Sequence, residues 1–274
     1  MRLSRQSINK IIELQKSKRP NIWCYTSEEN NIYIEKMMAN FNGIVMQNQQ
    51  IQQSHHKITN IGDGVFISTD AIKNEEMLEL EKLLMRLNNN VSIYIEIDKI
   101  KGSINKRNLV INILRRHHVD IIEGTEEEIY ELVKAQSSYD SDYIEGKKYN
   151  NYRSFSKKNN VMLITILNKK YYVTDGYSEF FIDSHIDIIE NNKLRYILGS
   201  IISMGVACCN KKEEKIQSIL IEILVFCKAY ELTKKKLINY INFNSLEKYI
   251  VDNIKEVSID DITSFQNINY SFRR

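Results

Sequence analysis

The sequence predicts an α/β fold, with a mostly parallel central sheet flanked by helices on both faces and an antiparallel hairpin region. Three observations carry that prediction. From Val119 to Leu132, VDIIEGTEEEIYEL, a short apolar run stops at Gly124 and gives way to Glu126, Glu127 and Glu128, then to Ile129 and Leu132 at helical spacing. Such a pattern is a buried strand, a tight turn and a helix whose first turn holds carboxylates where the macrodipole favours them. Short apolar runs and helical patterns alternate through the first half, which implies right-handed βαβ crossovers and a parallel sheet. Finally, Val161–Leu167 and Tyr171–Thr174 flank Asn168-Lys169-Lys170, a hairpin signal. A strand carboxyl end meeting a helix amino end is where open α/β sheets bind ligands, so the turn at Glu123 to Glu128 frames the search for a site.

In chain order, a helix around Ile32–Phe41 leads into a short strand at Gly43–Met46, and Val65–Ile67 forms another strand. Asn74–Asn88 reads as a helix with Met77, Leu80, Leu84 and Leu87 on one face. Val91–Ile97 alternates Ile93, Ile95 and Ile97 and is the clearest strand; Arg107–Arg116 is helical, and Val119–Ile122 returns to the sheet. The polar, tyrosine-rich stretch Ser137–Asn160 is expected to hold one helix and a loop. Past the hairpin, Asp175-Gly176 turns the chain into a third antiparallel strand, Ser178–Ile182. Helices follow at Gly199–Cys209 and Glu213–Thr233, the second apolar almost all round and therefore buried. With no Gly/Ser/Pro linker and no repeat, residues 1–257 are expected to form one domain and 258–274 a C-terminal tail.

Composition excludes some classes. A net charge of +3 from 38 basic and 35 acidic residues gives no case for nucleic acid. Lys234, Lys235 and Lys236 end a helix, where cations suit the dipole. The longest apolar run, Ile219–Cys227, is broken by Glu222 and falls short of the ~20 residues that span a bilayer. No membrane association is expected, and the location expected is cytoplasmic. Cys24, Cys208, Cys209 and Cys227 contain no C-x-x-C pair and read as reduced packing residues; the adjacent pairs His55–His56 and His117–His118 point apart and do not suit a metal.

The order of these pieces resembles the hydroxyethylthiazole kinase family, a branch of the ribokinase-like superfamily, over roughly residues 20 to 250. Met37 to Met46 is similar to the family segment L-L-A-x-G-A-S-P-V-M, which implies that Met46 contacts a thiazole, with Asn31 in the same pocket. Ile95-Glu-Ile-Asp98 resembles the family's L-D-P-V strand, keeping the aspartate, and Arg107 sits where the family has an arginine. Glu123-Gly-Thr-Glu-Glu-Glu-Ile129 resembles R-G-N-A-S-E-I. By that match Glu128 serves magnesium together with Asp98, while Glu123 replaces a phosphate-binding arginine. Thr165 matches a nucleotide-contacting threonine, and Thr174-Asp175-Gly176 and His185 match the turns that follow. The resemblance implies ATP and Mg2+ as cofactors, a thiazole alcohol as substrate and a homotrimeric assembly.

One departure is set against this. Leu198-Gly-Ser-Ile-Ile202 stands where the family has T-G-T-G-C, a glycine loop whose backbone N–H groups form an anion hole beside a reactive cysteine. Gly199 survives as a substrate-site residue, but Ile201 and Ile202 replace the second glycine and the cysteine, leaving no catalytic residue. Two expectations compete: a thiamine-salvage kinase phosphorylating the hydroxyethyl group, and a non-catalytic relative that keeps the fold as a binding or assembly module. A kinase rebuilt for another alcohol is a third.

Overall fold

The computed structural model describes residues 3–40, 43–47, 62–88, 90–137, 147–184, 192–237, 246–265 and 267–272, some of them by backbone only. His55, His56 and His185 lie outside the described residues. Among the described residues, nine strands form one sheet in the order β2-β1-β3-β4-β5-β6-β7-β8-β9. The strands are β1 Asn21–Tyr25, β2 Ile44–Gln47, β3 Gly64–Ser68, β4 Ser92–Ile97, β5 Ile121–Gly124, β6 Met162–Leu167, β7 Lys170–Thr174, β8 Ser178–Asp183 and β9 Ile268–Phe272. From β2 to β6 every neighbour pair is parallel, and from β6 to β9 every pair is antiparallel. The described helices are α1 Arg5–Lys18, α2 Glu28–Asn40, α3 Met77–Leu84, α4 Ile104–Arg116, α5 Glu126–Ser137, α6 Lys148–Asn159, α7 Asn192–Ala207, α8 Lys212–Leu237, α9 Leu246–Ile254 and α10 Ile259–Phe265.

The period of two along each strand divides the core into two layers. Ile22, Cys24, Phe66, Tyr94, Ile121, Ile164 and Val173 face the layer containing α7, α8 and α9. Trp23, Val65, Ile67, Ile93, Ile95, Ile122 and Leu163 face α3 to α6. Strands covered on both faces by helices are apolar on both faces, so β1, β3 and β4 are buried almost without interruption.

Local chemistry explains the element ends. Ser103 caps α4, its hydroxyl accepting from the Lys106 N–H, and Ser4 caps α1 by accepting from the Ser7 N–H at 3.0 Å. The β6–β7 hairpin closes through Asn168 and Lys169, both with positive φ (51° and 62°), the twist a two-residue hairpin needs. The following turn is held by Asp175, whose carboxylate accepts from the Tyr177 and Ser178 N–H groups at 3.0 and 2.7 Å, with Gly176 at φ 87°.

Several expected elements shift. The helix expected over Asn74–Asn88 splits into a 3₁₀ turn, Asn74–Glu76, and the shorter α3. The helix expected to start at Gly199 starts at Asn192, and the tail from Ser258 onward supplies α10 and β9, the latter pairing with β8 at the sheet edge. Three elements were not expected at all: α1, β1 inside the sheet between β2 and β3, and α9.

At the amino edge of the strands, Asp120 ties α8 to the sheet. Lys215 Nζ reaches its carboxylate at 2.5 Å and Ser92 Oγ at 3.2 Å, and His118 Nε2 lies 3.5 Å away. Burial would raise the Asp120 pKa, but the hydrogen bond from His118 and the Lys215 ammonium outweigh it and hold the carboxyl below its usual range. A depressed carboxyl stabilises the fold above the unfolded pKa of ~3.9, and that contribution is lost as pH falls through the folded pKa. Asp120→Asn should therefore lower the urea midpoint at pH 7 and narrow the gap to the parent below pH ~4. Equal midpoint differences at pH 7 and pH 3 would contradict the assignment.

Candidate functional site

The register of β3, β4 and β5 places Ser68, Glu96 and Glu123 in one row across the sheet near its carboxyl edge. Because side chains alternate, Tyr94, Glu96 and Asp98 share one face of β4 while Ile93, Ile95 and Ile97 share the other. The polar face looks toward the first turn of α7, which delivers Arg195. Its guanidinium lies 3.2 Å from Glu96, 4.0 Å from Asp98, and donates to the Ile97 carbonyl at 3.0 Å. Arg195 and Glu96 are 3% and 0% exposed, so one cation stands among carboxylates with water excluded.

Burial pushes the Glu96 carboxyl up to about 7 against the pull of Arg195. Glu123 is also raised by burial, opposed by Arg195 and by the hydrogen bond that the Tyr94 hydroxyl donates to it. Tyr196 packs beside this cluster, where its hydroxyl accepts from Ser68 Oγ at 3.3 Å.

Beside this cluster a cleft of about 620 Å³ opens at the carboxyl ends of β5 and β6. It is lined by Glu123, the Thr125–Glu128 start of α5, Thr165, Lys169, Tyr171 and Arg195. Gly124 closes β5 against Ile97, at a spot where any Cβ would collide with that side chain. Glu128 is not free to turn into the cleft: its Oε2 accepts from the Ile100 and Lys101 N–H groups at 3.0 and 3.1 Å, pinning the loop after β4. Burial raises its pKa, and those backbone donors oppose the rise. Glu126 and Glu127 pair with Lys148 and Lys101. Three buried polar atoms of the lining residues, Arg195 Nη1, Thr165 Oγ1 and Tyr171 Oη, have no hydrogen-bond partner among the described residues.

The structure thus brings together Asp98, Glu123, Glu128 and Thr165, four residues that the sequence singled out. It separates them from Met46, which lies half-buried on β2 at the far edge, four strands from β5, or ~19 Å at about 4.8 Å per strand. Asn31 lies in α2, and its side chain is outside the described residues. Arg107 points away, pairing with Glu131 at 3.3 Å between α4 and α5.

Gly199 requires a correction. It is the eighth residue of α7, where its N–H belongs to the helical ladder and offers nothing to an anion. A Cβ there would sit 2.8 Å from Phe66, so the glycine serves close packing of α7 on the sheet. Ile201 and Ile202 are equally interior and buried. The described helix begins at Asn192, and the residues its start presents to the site are Arg195 and Tyr196. Glu96 and Arg195 were not singled out from the sequence. The signal for Glu96 was present in the alternation of β4, whose second face reads Tyr94, Glu96, Asp98.

A nine-stranded sheet of this order, parallel then antiparallel, with helices on both faces, is a ribokinase-like α/β fold. The fold matches the hydroxyethylthiazole kinase of Pyrococcus horikoshii OT3 with a TM-score of 0.75 at 13% identity, covering 97% of this chain and 99% of that one. The hypothetic protein SMU.573 of Streptococcus mutans matches at 0.64 and 13%, covering 96% and 100%. The pyridoxal kinase of Staphylococcus aureus, solved with pyridoxal, matches at 0.57 and 10%, covering 92% and 98%. No protein-family model and no curated protein matches the sequence. Among the described residues, no helix is long and apolar enough to cross a membrane.

Proposed function

We propose that this chain is a hydroxyethylthiazole-kinase-like protein in which phosphoryl transfer is weak or lost, and which binds a small polar molecule in the cleft at Glu123 and Arg195. The observation that carries the binding half is that Thr165 and Tyr171, whose buried hydroxyls have no hydrogen-bond partner among the described residues, line one cleft together with Arg195. Buried polar groups are normally paired, and a ligand supplying complementary atoms would pair them.

The weakness of catalysis is argued from charge and donors. An ATP site needs cations and free N–H groups aimed at phosphates. Here the buried cation in the cleft wall is already engaged by Glu96, Asp98 and the Ile97 carbonyl, and Glu123 presents a carboxyl instead. The donor set for Mg2+ fits poorly. Asp98 has a guanidinium 4.0 Å away that repels a dication, and the inner oxygen of Glu128 already accepts two backbone bonds. Among the described residues, no group of three possible ligands stands together. No step is therefore assigned to the metal or to ATP.

A coupled assay for phosphorylated hydroxyethylthiazole should give turnover near background, with calorimetry showing no ATP·Mg2+ binding at micromolar concentration. Robust turnover by the unmodified protein would overturn the reading. The trimer that the sequence resemblance implies remains part of the proposal, and light scattering at micromolar concentration tests it; a purely 32.3-kDa species would remove it.

A further inference from the structure

A second cavity, of about 470 Å³, lies between α1, α8, α9 and α10 and shares no residue with the cleft at Glu123. Its walls are mainly hydrocarbon, chiefly Ile12, Ile221, Val225, Ile254 and Ile262, with Gln15, Asn40 and Ser258 also in the lining, and Lys16 and Lys255 stand exposed at its rim. Into this apolar lining α8 sets one carboxyl, Glu222, which is 1% exposed and breaks the apolar run from Ile219 to Cys227. Its Oε1 accepts from the Gln15 amide, while its Oε2 is buried without a hydrogen-bond partner among the described residues. Gly205 on the facing helix makes room for this pair, since a Cβ there would crowd Gln15 Nε2 and Glu222 Oε1.

Burial with only one amide partner pushes the Glu222 carboxyl up to about 8. Neutral pH therefore finds it mainly protonated, a donor, and higher pH finds it an acceptor. A hydroxyl is the complementary group in both states, because it donates and accepts alike. The volume falls in the ~300–1,000 Å³ range of small-molecule sites. The lysines at the rim disfavour a cationic ligand.

We propose that this cavity is a binding site for a small uncharged alcohol, its hydroxyl paired with Glu222 Oε2 and its hydrocarbon body held against Ile221, Val225, Ile254 and Ile262. The site is independent of the cleft at Glu123 and of whatever that cleft binds.

The test uses the full chain with isoleucine δ-methyl labelling and 1-hexanol as the probe. Saturable shifts confined to the methyls of Ile12, Ile221, Ile254 and Ile262 are expected, with 1-hexylamine at least fivefold weaker. Glu222→Leu should weaken 1-hexanol binding about fivefold by removing one hydrogen bond. Val225→Phe, which fills the cavity, should abolish the shifts while the methyl spectrum stays dispersed. Absence of saturable shifts, undiminished shifts in Val225→Phe, or equal affinity for the amine would each overturn the proposal.

Discussion

Replacing Arg195 by methionine is expected to cost about 3–5 kcal/mol of folding stability, the usual consequence of removing one partner from a buried charge cluster. The size follows from burial on all sides: Glu96 and Glu123 are almost fully buried, and Asp98 nearly so. Without the guanidinium, Glu96 and Glu123 must be protonated or remain charged in a dry interior with no cation beside them. Glu96, already pushed up to about 7 with Arg195 beside it, would be neutral throughout the physiological range in the variant. Urea unfolding at pH 7.5 measures the loss. The double variant Arg195→Met with Glu96→Gln should recover part of it, because the amide needs no countercharge. A loss below 1 kcal/mol in the single variant would mean that the cluster is solvated and that Arg195 is not its organising cation.

Glu222→Gln should stabilise the protein at alkaline pH. The folded pKa, raised by burial from 4.5 to about 8, exceeds the unfolded value. A raised carboxyl contributes nothing unfavourable below the unfolded pKa of ~4.3, and its cost grows as pH rises until it levels off above the folded pKa. At 1.36 kcal/mol per unit the full difference approaches ~5 kcal/mol, so the parent should lose stability between pH ~4.5 and pH 8 while the glutamine variant loses less. Denaturant midpoints at pH 5 and pH 8.5 decide the matter: parallel pH profiles for the two proteins would show that Glu222 does not titrate in this range.

How far the site was legible depends on which physical cue each residue leaves. The carboxylates at Asp98, Glu123 and Glu128 sit at strand ends and a helix start, positions that alternation and the glutamate run mark plainly. Glu96 was readable from the same alternation, but the isoleucines of the opposite face dominate the stretch. Arg195 leaves no local mark, since a lone arginine in a polar-to-apolar transition reads as a solvated helix start. Met46 was tied to a thiazole pocket by resemblance alone, and it lies on the edge strand β2, four strands from β5. The N-terminal helix carried its own signals, a serine cap at Ser4 and apolar residues at Ile8 and Ile11. Strand β1, NIWCY, lacks alternation because it is covered on both faces.

By itself the sequence determined the α/β class, the strand-turn-helix at Val119 to Leu132, the antiparallel hairpins from Val161 to Ile182 and the burial of the long helix α8. Each of these is set by short-range periodicity and turn chemistry, which need no partner to be expressed. Only the tertiary structure decided where α7 begins, that Gly199 packs against Phe66 and does not open an anion hole, and that Arg195 closes on Glu96 and Asp98. Those outcomes depend on which surfaces meet. A glycine that lets two elements approach and a glycine that frees a loop are the same residue until the neighbouring strand is in place.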